Sequence, residues 1–285
     1  MELPRNLSVI FEPGLPAENI RRMARIAVAS GVRSLWLSDS NDDWRLLSRT
    51  DPWQVAAAIA SDEQEMLVGV MFDTVWWPPG LIGSMGARLN AAMDGRLRMG
   101  ITTQSESPAP RSSTKVPIRD EVADTLTYMQ YAQQVREVIS GAQSGPARRA
   151  PALSIRVTAP EQLATVVQFA DTAVIPFTDL RTIGGVISSL WDGCRVRGRI
   201  RGSLSIAVEV PVVLGHDDIL HVPTSVPASG PILQRDLFRT AGPWRAASTT
   251  ESELRRLGVD EIRYWTRHTT EMADILPAIG DMRLP

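Results

Sequence analysis

Short apolar runs rich in β-branched residues alternate with helical stretches along most of this chain, and that alternation leaves few folds open. LSVIF (7–11) precedes PAENIRRMARIAVAS, in which Ile20, Met23, Ala24 and Ala27 fall on one helical face before Gly31 supplies a left-handed stop. RSLWL (33–37) leads towards a helix opened by Pro52, and MLVGVMF (66–72) leads into PGLIGSMGARLNAAMDG and then RLRMGI (96–101). Strand-to-strand spacing over these repeats is about 25 to 35 residues, the length of a βα unit. The runs are continuously apolar, as suits parallel strands covered on both faces.

The second half continues the pattern less regularly. A long helix is expected over 119–140 with Val122, Leu126, Met129 and Val138 on its inner stripe. ALSIRV (152–157), a short helix in PEQLATVVQFA, DTAVIP (171–176) and SIAVEVPVVL (205–214) follow. ESELRRLGVDEIRYW then gives a helix, a glycine stop at Gly258 and an eighth strand, with a last helix running to Ile279. The predicted strands are 7–12, 33–38, 66–72, 96–101, 152–158, 171–176, 205–213 and 259–265. Pro211 fits the seventh poorly, because proline lacks the N–H that a central strand donates. Eight strands with intervening helices predict an α/β fold, a single (β/α)8 TIM-type barrel over residues 1–285 as one domain. A doubly wound open sheet is the alternative. It is weakened because EPGLPAEN, after the first strand, carries only Gly14 where such folds place a glycine-rich turn. The stretches 102–119, 141–151 and 215–231, rich in Pro, Ser and Gly, read as loops.

Charge and cysteine content remove several function classes. A net charge of −2 gives no electrostatic reason to expect nucleic acid or an anionic membrane as partner. MELPRNLSVIFEP lacks a basic segment followed by a long apolar run, and no stretch approaches the roughly 20 apolar residues of a membrane helix. A cytoplasmic protein is the expectation. The one cysteine, Cys194, makes an internal disulfide and a cysteine metal cage impossible within one chain. Among 30 basic residues only Lys115 is lysine, and it sits in a polar Ser/Pro-rich loop, which disfavours Schiff-base chemistry. HDDILH places His216 and His221 five residues apart, a spacing that is no metal signature, so no metal is expected.

Four segments, in order, resemble the luciferase-like oxidoreductases, a family of flavin monooxygenases and deazaflavin-dependent reductases. They are ARIAVASGVRSLWLSDSNDDW, MLVGVMFDTVWWPP, ARLNAAMDGRLRMGITT and LSIRVTAPEQLATVVQFADTAVIP, within residues 7–178, with an echo at 254–280. The resemblance implies a luciferase-like barrel whose mouth holds FMN or coenzyme F420 at the C-terminal rim. It implies an oxidoreductase, either monooxygenase or hydride-transfer reductase, acting on a small organic substrate. A homodimer and a flavin reductase supplying reduced cofactor are its implied partners. Shortened loops, as at GAQSGPARRAP and after the seventh strand, set this chain apart. Two other readings stay open: a flavin-binding protein without turnover, and a barrel subunit that has lost its cofactor.

The site candidates follow from this likeness. Asp39 ends the second strand, where relatives carry Asp-His, and the histidine is replaced by Ser40, with Trp44 beyond. Asp39 either serves the site or caps its loop. His268, near the eighth strand with Trp265 and Arg267, is the remaining proton-transfer candidate. In the family a non-proline cis peptide often bulges the third strand behind the flavin, here near Gly69–Val70, with an ordinary strand glycine as the other reading. Gly100 either leaves room where a flat ring could approach or is a packing glycine. Thr102 and Thr103 either hydrogen-bond the flavin's pyrimidine edge or form a plain polar loop. For the cofactor phosphate the resemblance points to Thr158-Ala159-Pro160 at the start of a helix, with Thr178 adding a hydroxyl; a structural cap explains Thr158 equally. Asp73 faces the mouth if the register is right. Trp76 and Trp77 either wall off the flavin or pack under the next helix.

Overall fold

The computed structural model describes residues 7–11, 16–38, 51–63, 65–74, 77–102, 121–141, 150–200, 202–214, 220–224, 244–266 and 272–282. Eight parallel strands close into a barrel: β1 (Leu7–Phe11), β2 (Ser34–Ser38), β3 (Leu67–Asp73), β4 (Leu97–Thr102), β5 (Ala152–Arg156), β6 (Thr172–Pro176), β7 (Ser205–Pro211) and β11 (Glu261–Trp265), the last pairing with both β7 and β1. Every predicted strand is present, shorter or shifted by a residue or two. Between them run α1 (Ala17–Ala29), α2 (Pro52–Asp62), α3 (Pro79–Ala92), α4 (Glu121–Gly141), α5 (Leu163–Phe169), α6 (Leu180–Val196) and α7 (Ala247–Arg256), and α8 (Met272–Asp281) follows the barrel. No helix among the described residues is long and apolar enough to cross a membrane.

Local chemistry accounts for the element ends. The buried face of α1 is Ile20, Met23, Ala24 and Ala27, the expected stripe, and Gly31 follows at φ +77°. Asp51 caps α2 by accepting from the Trp53 amide, with Pro52 in the first turn. Arg96 donates to the carbonyls of Ala60, Glu63 and Met66, which ties the end of α2 to the turn entering β4. Pro211 is tolerated because it ends β7, and the ladder continues through the Val212 amide to Trp265 O.

Two expectations need correction. The inner stripe of α4 is Tyr128, Tyr131, Ala132, Val135 and Ile139; Met129 and Val138 flank it, and the side chains of Val122 and Leu126 lie outside the described set. The tyrosines can be inside because each hydroxyl finds a backbone acceptor, Tyr128 at Ile101 O (3.4 Å) and Tyr131 at Trp77 O (2.6 Å). The stretch expected as a loop at 215–231 contains a strand. β8 (Val213–Leu214), β9 (Leu220–Pro223) and β10 (Trp244–Ala246) form a separate antiparallel sheet beside the barrel.

Period-two alternation divides each barrel strand between an outer apolar layer and the lumen. In β3, Val68, Val70 and Phe72 join the main core, where Phe72 stacks on Trp53 at 4.6 Å, while Gly69, Met71 and Asp73 face inwards. The lumen is not the usual packing of branched aliphatics. Glu261, buried, accepts from Ser8 Oγ (2.5 Å), Trp36 Nε1 (3.2 Å), Arg98 Nη1 (3.3 Å) and Arg263 Nη2 (3.1 Å). The fully buried Arg263 guanidinium also reaches Ser154 Oγ (3.4 Å) and stacks 3.6 Å over the Trp36 ring. The indole also lies against Gly69, where an added Cβ would come within 2.3 Å of the ring. At Gly100 a Cβ would meet the Met71 thioether at 2.6 Å and Trp36 Cζ3 at 3.2 Å. The space at Gly69 is therefore taken by the protein's own indole, and that at Gly100 by the Met71 thioether with the indole edge beyond it. No described peptide bond is cis, so Gly69 serves here as the seat of Trp36.

Two predictions follow from the lumen. Gly69→Ala forces the indole off its seat and costs about 1–3 kcal/mol as overpacking, read from the urea midpoint; an unchanged midpoint would show that Trp36 does not rest there. Burial would push the Glu261 carboxyl up, but Arg263 and Arg98, with the hydrogen bonds from Arg263 and Ser8, outweigh it and hold the group down at about 2. A carboxyl depressed in the folded state stabilises the fold above its ordinary value of 4.5, and that stability drains away as pH falls towards 2. Acid unfolding of the native protein is thus expected to be steeper over this window than that of Glu261→Gln; equal slopes would contradict the shared-carboxylate arrangement.

Candidate functional site

Because the strands are parallel, all their carboxyl ends open on one rim, and inward-facing residues near those ends of β3, β4, β5 and β7 meet there: Asp73, Thr102, Arg156 and Glu209. Asp73 and Thr102 are register partners on adjacent strands, 4% and 0% exposed. Thr102 Oγ1 has no hydrogen-bond partner among the described residues, a buried polar atom in need of one. Across the mouth Arg156 Nε stands 2.9 Å from Glu209 Oε2. α4 leans over this side through Tyr128 and Tyr131, whose phenols are pushed up by burial first and by the nearby Asp73 second, so both remain protonated donors. The rim thus holds carboxylates, a guanidinium and neutral hydroxyls above a floor of Trp36, Met71, Val174 and Ala207.

The candidates named from sequence are placed unevenly. Asp73 and Thr102 come together on the rim. Gly69 lies deeper in the lumen, beneath Trp36. Val70 turns its fully buried side chain to the outer helical layer and offers the lumen only backbone. Thr178 is half-buried after β6, directly before Asp179, which caps α6 by accepting from the Thr182 amide. At the β5 turn, the Thr158 amide (2.7 Å), the Thr158 hydroxyl (3.1 Å) and the Ala159 amide (3.3 Å) all converge on one acceptor, Gln162 Oε1. Trp77 packs partly buried against the core with its ring edge-on to Phe72 at 5.8 Å. Asp39, Ser40, Trp44, Trp76, Thr103, Lys115, His216 and His268 lie outside the described residues. No group of metal-binding side chains occurs among the described residues.

Sequence reasoning missed Arg98, Arg156, Glu209, Glu261 and Arg263. The signal was available: each is a charge inside an otherwise apolar strand, RLRMG, LSIRV, AVEVP and EIRYW. A charge in a strand buried on both faces needs a partner of opposite sign, and these five supply one another.

The comparisons with known proteins agree with this geometry. No curated protein matches the chain significantly. Among solved structures, a coenzyme F420-dependent tetrahydromethanopterin reductase from Methanopyrus kandleri superposes with TM-score 0.69 at 12% identity, covering 98% of each chain. The monooxygenase RslO1 from Streptomyces bottropensis gives 0.73 at 12% identity over 97% of this chain and 98% of its own. A riboflavin lyase with modified FMN and riboflavin gives 0.67 at 10% identity over 96% and 91%. At such identities the likeness speaks for the barrel alone. The family model of the luciferase-like monooxygenases matches residues 6–220, well over half of the 285, and the chain belongs to that family.

Proposed function

We propose that this protein is a flavin- or deazaflavin-dependent oxidoreductase, using FMN or coenzyme F420 at the barrel rim to oxygenate or reduce a small organic substrate. The observation that carries the reading is the buried, unpartnered Thr102 hydroxyl beside Asp73, above a lumen already filled by Trp36 and Arg263. A flat heterocycle with a polar edge suits that ledge: Thr102 supplies a hydroxyl, Asp73 an acceptor, and Met71 and Trp36 an apolar floor. The phosphate is accommodated less readily, since the three donors of the β5 turn already hold Gln162 Oε1. When bound, the cofactor supplies a reducible ring. The chain's own part is to orient that ring through Thr102 and Asp73 and to exclude water with the tyrosines of α4. Asp39 and His268 are proposed as the groups that orient substrate and move a proton. The homodimer, the flavin reductase partner and a cytoplasmic location remain parts of the same proposal.

The occupied β5 turn favours a second reading, a family member that has dispensed with the cofactor. Titration of the purified protein with FMN, riboflavin and coenzyme F420, followed by absorbance and calorimetry, separates the two. The oxidoreductase reading expects binding at about micromolar or weaker affinity, and silence with all three would end it. Thr102→Val is expected to weaken cofactor binding by about tenfold while leaving stability unchanged or raised, because it removes an unsatisfied buried hydroxyl. In a validated assay, Asp39→Asn is expected to cut turnover by about tenfold to a thousandfold with stability within about 1 kcal/mol. Unchanged turnover would make Asp39 a loop cap.

A further inference from the structure

The ion pairing of the lumen and rim is incomplete in one particular way. Arg263 is fully buried, yet its Nε and Nη1 have no hydrogen-bond partner among the described residues; only Nη2 is engaged, by Glu261 and Ser154. Glu261 is also shared with Arg98, so the lower lumen holds two guanidinium groups against one carboxylate. The adjacent strand offers a remedy. Glu209 is the register partner of Arg263, and both face inwards, but the Glu209 carboxylate is turned up to Arg156 at the mouth. That upper contact is loosely made: the 2.9 Å approach of Arg156 Nε lacks an aligned N–H, and Nε forms no hydrogen bond. Glu209 thus stands between two guanidinium groups, one at the mouth that it holds imperfectly and one below with donors to spare.

The geometry points to Arg156 as the receptor for an oxyanion on the incoming ligand, with Glu209 as a placeholder that the anion displaces downwards to Arg263. A bound monoanion brings these groups to neutrality, since without it three guanidinium groups stand against two carboxylates. Without ligand, Arg156 is neutralised by Glu209. With a carboxylate or phosphate on Arg156, Glu209 neutralises the excess positive charge at Arg263 and satisfies its unused donors. The residues themselves favour an anionic substrate over a neutral one. Arg156 is also the partly exposed member of its pair, with 17% of its side chain accessible against 9% for Glu209. The inference rests on the rim being the ligand site and names the chemical class that the site takes.

Calorimetric titration with benzoate and with benzamide, in buffer free of carboxylate and phosphate, tests it. Benzoate is expected to bind at least about tenfold tighter than benzamide, and Arg156→Gln to abolish that preference. Glu209→Gln, which frees Arg156 without emptying the mouth, is expected to tighten benzoate by about threefold or more. Equal binding of the two probes, a preference that survives Arg156→Gln, or benzoate affinity that is unchanged or weaker in Glu209→Gln would each overturn the proposal. FMN and riboflavin titrations on the same samples identify the source of the anion. If Arg156→Gln weakens FMN and spares riboflavin, the oxyanion is the cofactor's phosphate. If it spares both and weakens benzoate, the oxyanion belongs to the substrate. Absence of any flavin or F420 binding defeats the oxidoreductase reading separately, because the benzoate arm is read without cofactor.

Discussion

One buried carboxylate organises the interior of this barrel. Glu261 gathers Ser8, Trp36, Arg98 and Arg263, residues of four strands. Removing it would leave two guanidinium groups facing each other without a counter-charge, the most expensive arrangement a protein interior can hold. Its position also fixes the indole. With Nε1 tied to Glu261 and the ring under Arg263, Trp36 lies flat across the lumen, and only glycine fits beneath it at position 69. A continuous chain of physical necessity thus runs from an acidic residue on the last strand to a missing side chain on the third.

The filled lumen determines where chemistry can happen. A ligand cannot descend between the strands, because indole, guanidinium and thioether occupy that space. What remains is the rim, where parallel strands deliver Asp73, Thr102, Arg156 and Glu209 on a rigid scaffold. Family membership accounts for the barrel. The particular rim residues decide its use, since barrels of one fold support many reactions through the ends of their strands. Here the ends are strongly polar, with unmade hydrogen bonds at Thr102 and Arg156.

Much of the framework was legible because it depends on local pattern. Apolar runs, Pro52, and the stops at Gly31 and Gly258 are short-range signals, and both of those glycines do adopt positive φ. Asp73 was legible by alternation. The stripe of α4 was misread because tyrosine looks amphipathic in sequence, and only the fold reveals that Ile101 O and Trp77 O wait for its hydroxyls. Gly69 was read as a bulge beside a cofactor or as an ordinary strand glycine, whereas it seats the indole of residue 36, a contact that no local rule predicts. The ion pairs were missed for a related reason. Arg98 and Glu261 are 163 residues apart, so their charges compensate only once the barrel has closed. Gln162 shows the limit of motif reasoning at the other end: the β5 turn has the donors of an anion cradle, and a carboxamide three residues on already fills it.

The central claim is that the protein's own aromatic and guanidinium stack closes the lumen, so that a flat cofactor lies on the rim above it. A crystal structure of the protein grown with FMN tests this most directly. The account predicts the isoalloxazine ring against Thr102 and Asp73, with Trp36 still seated on Gly69 and bonded to Glu261. A ring found inside the lumen in place of a displaced Trp36, or a flavin bound away from the carboxyl ends of the strands, would contradict it.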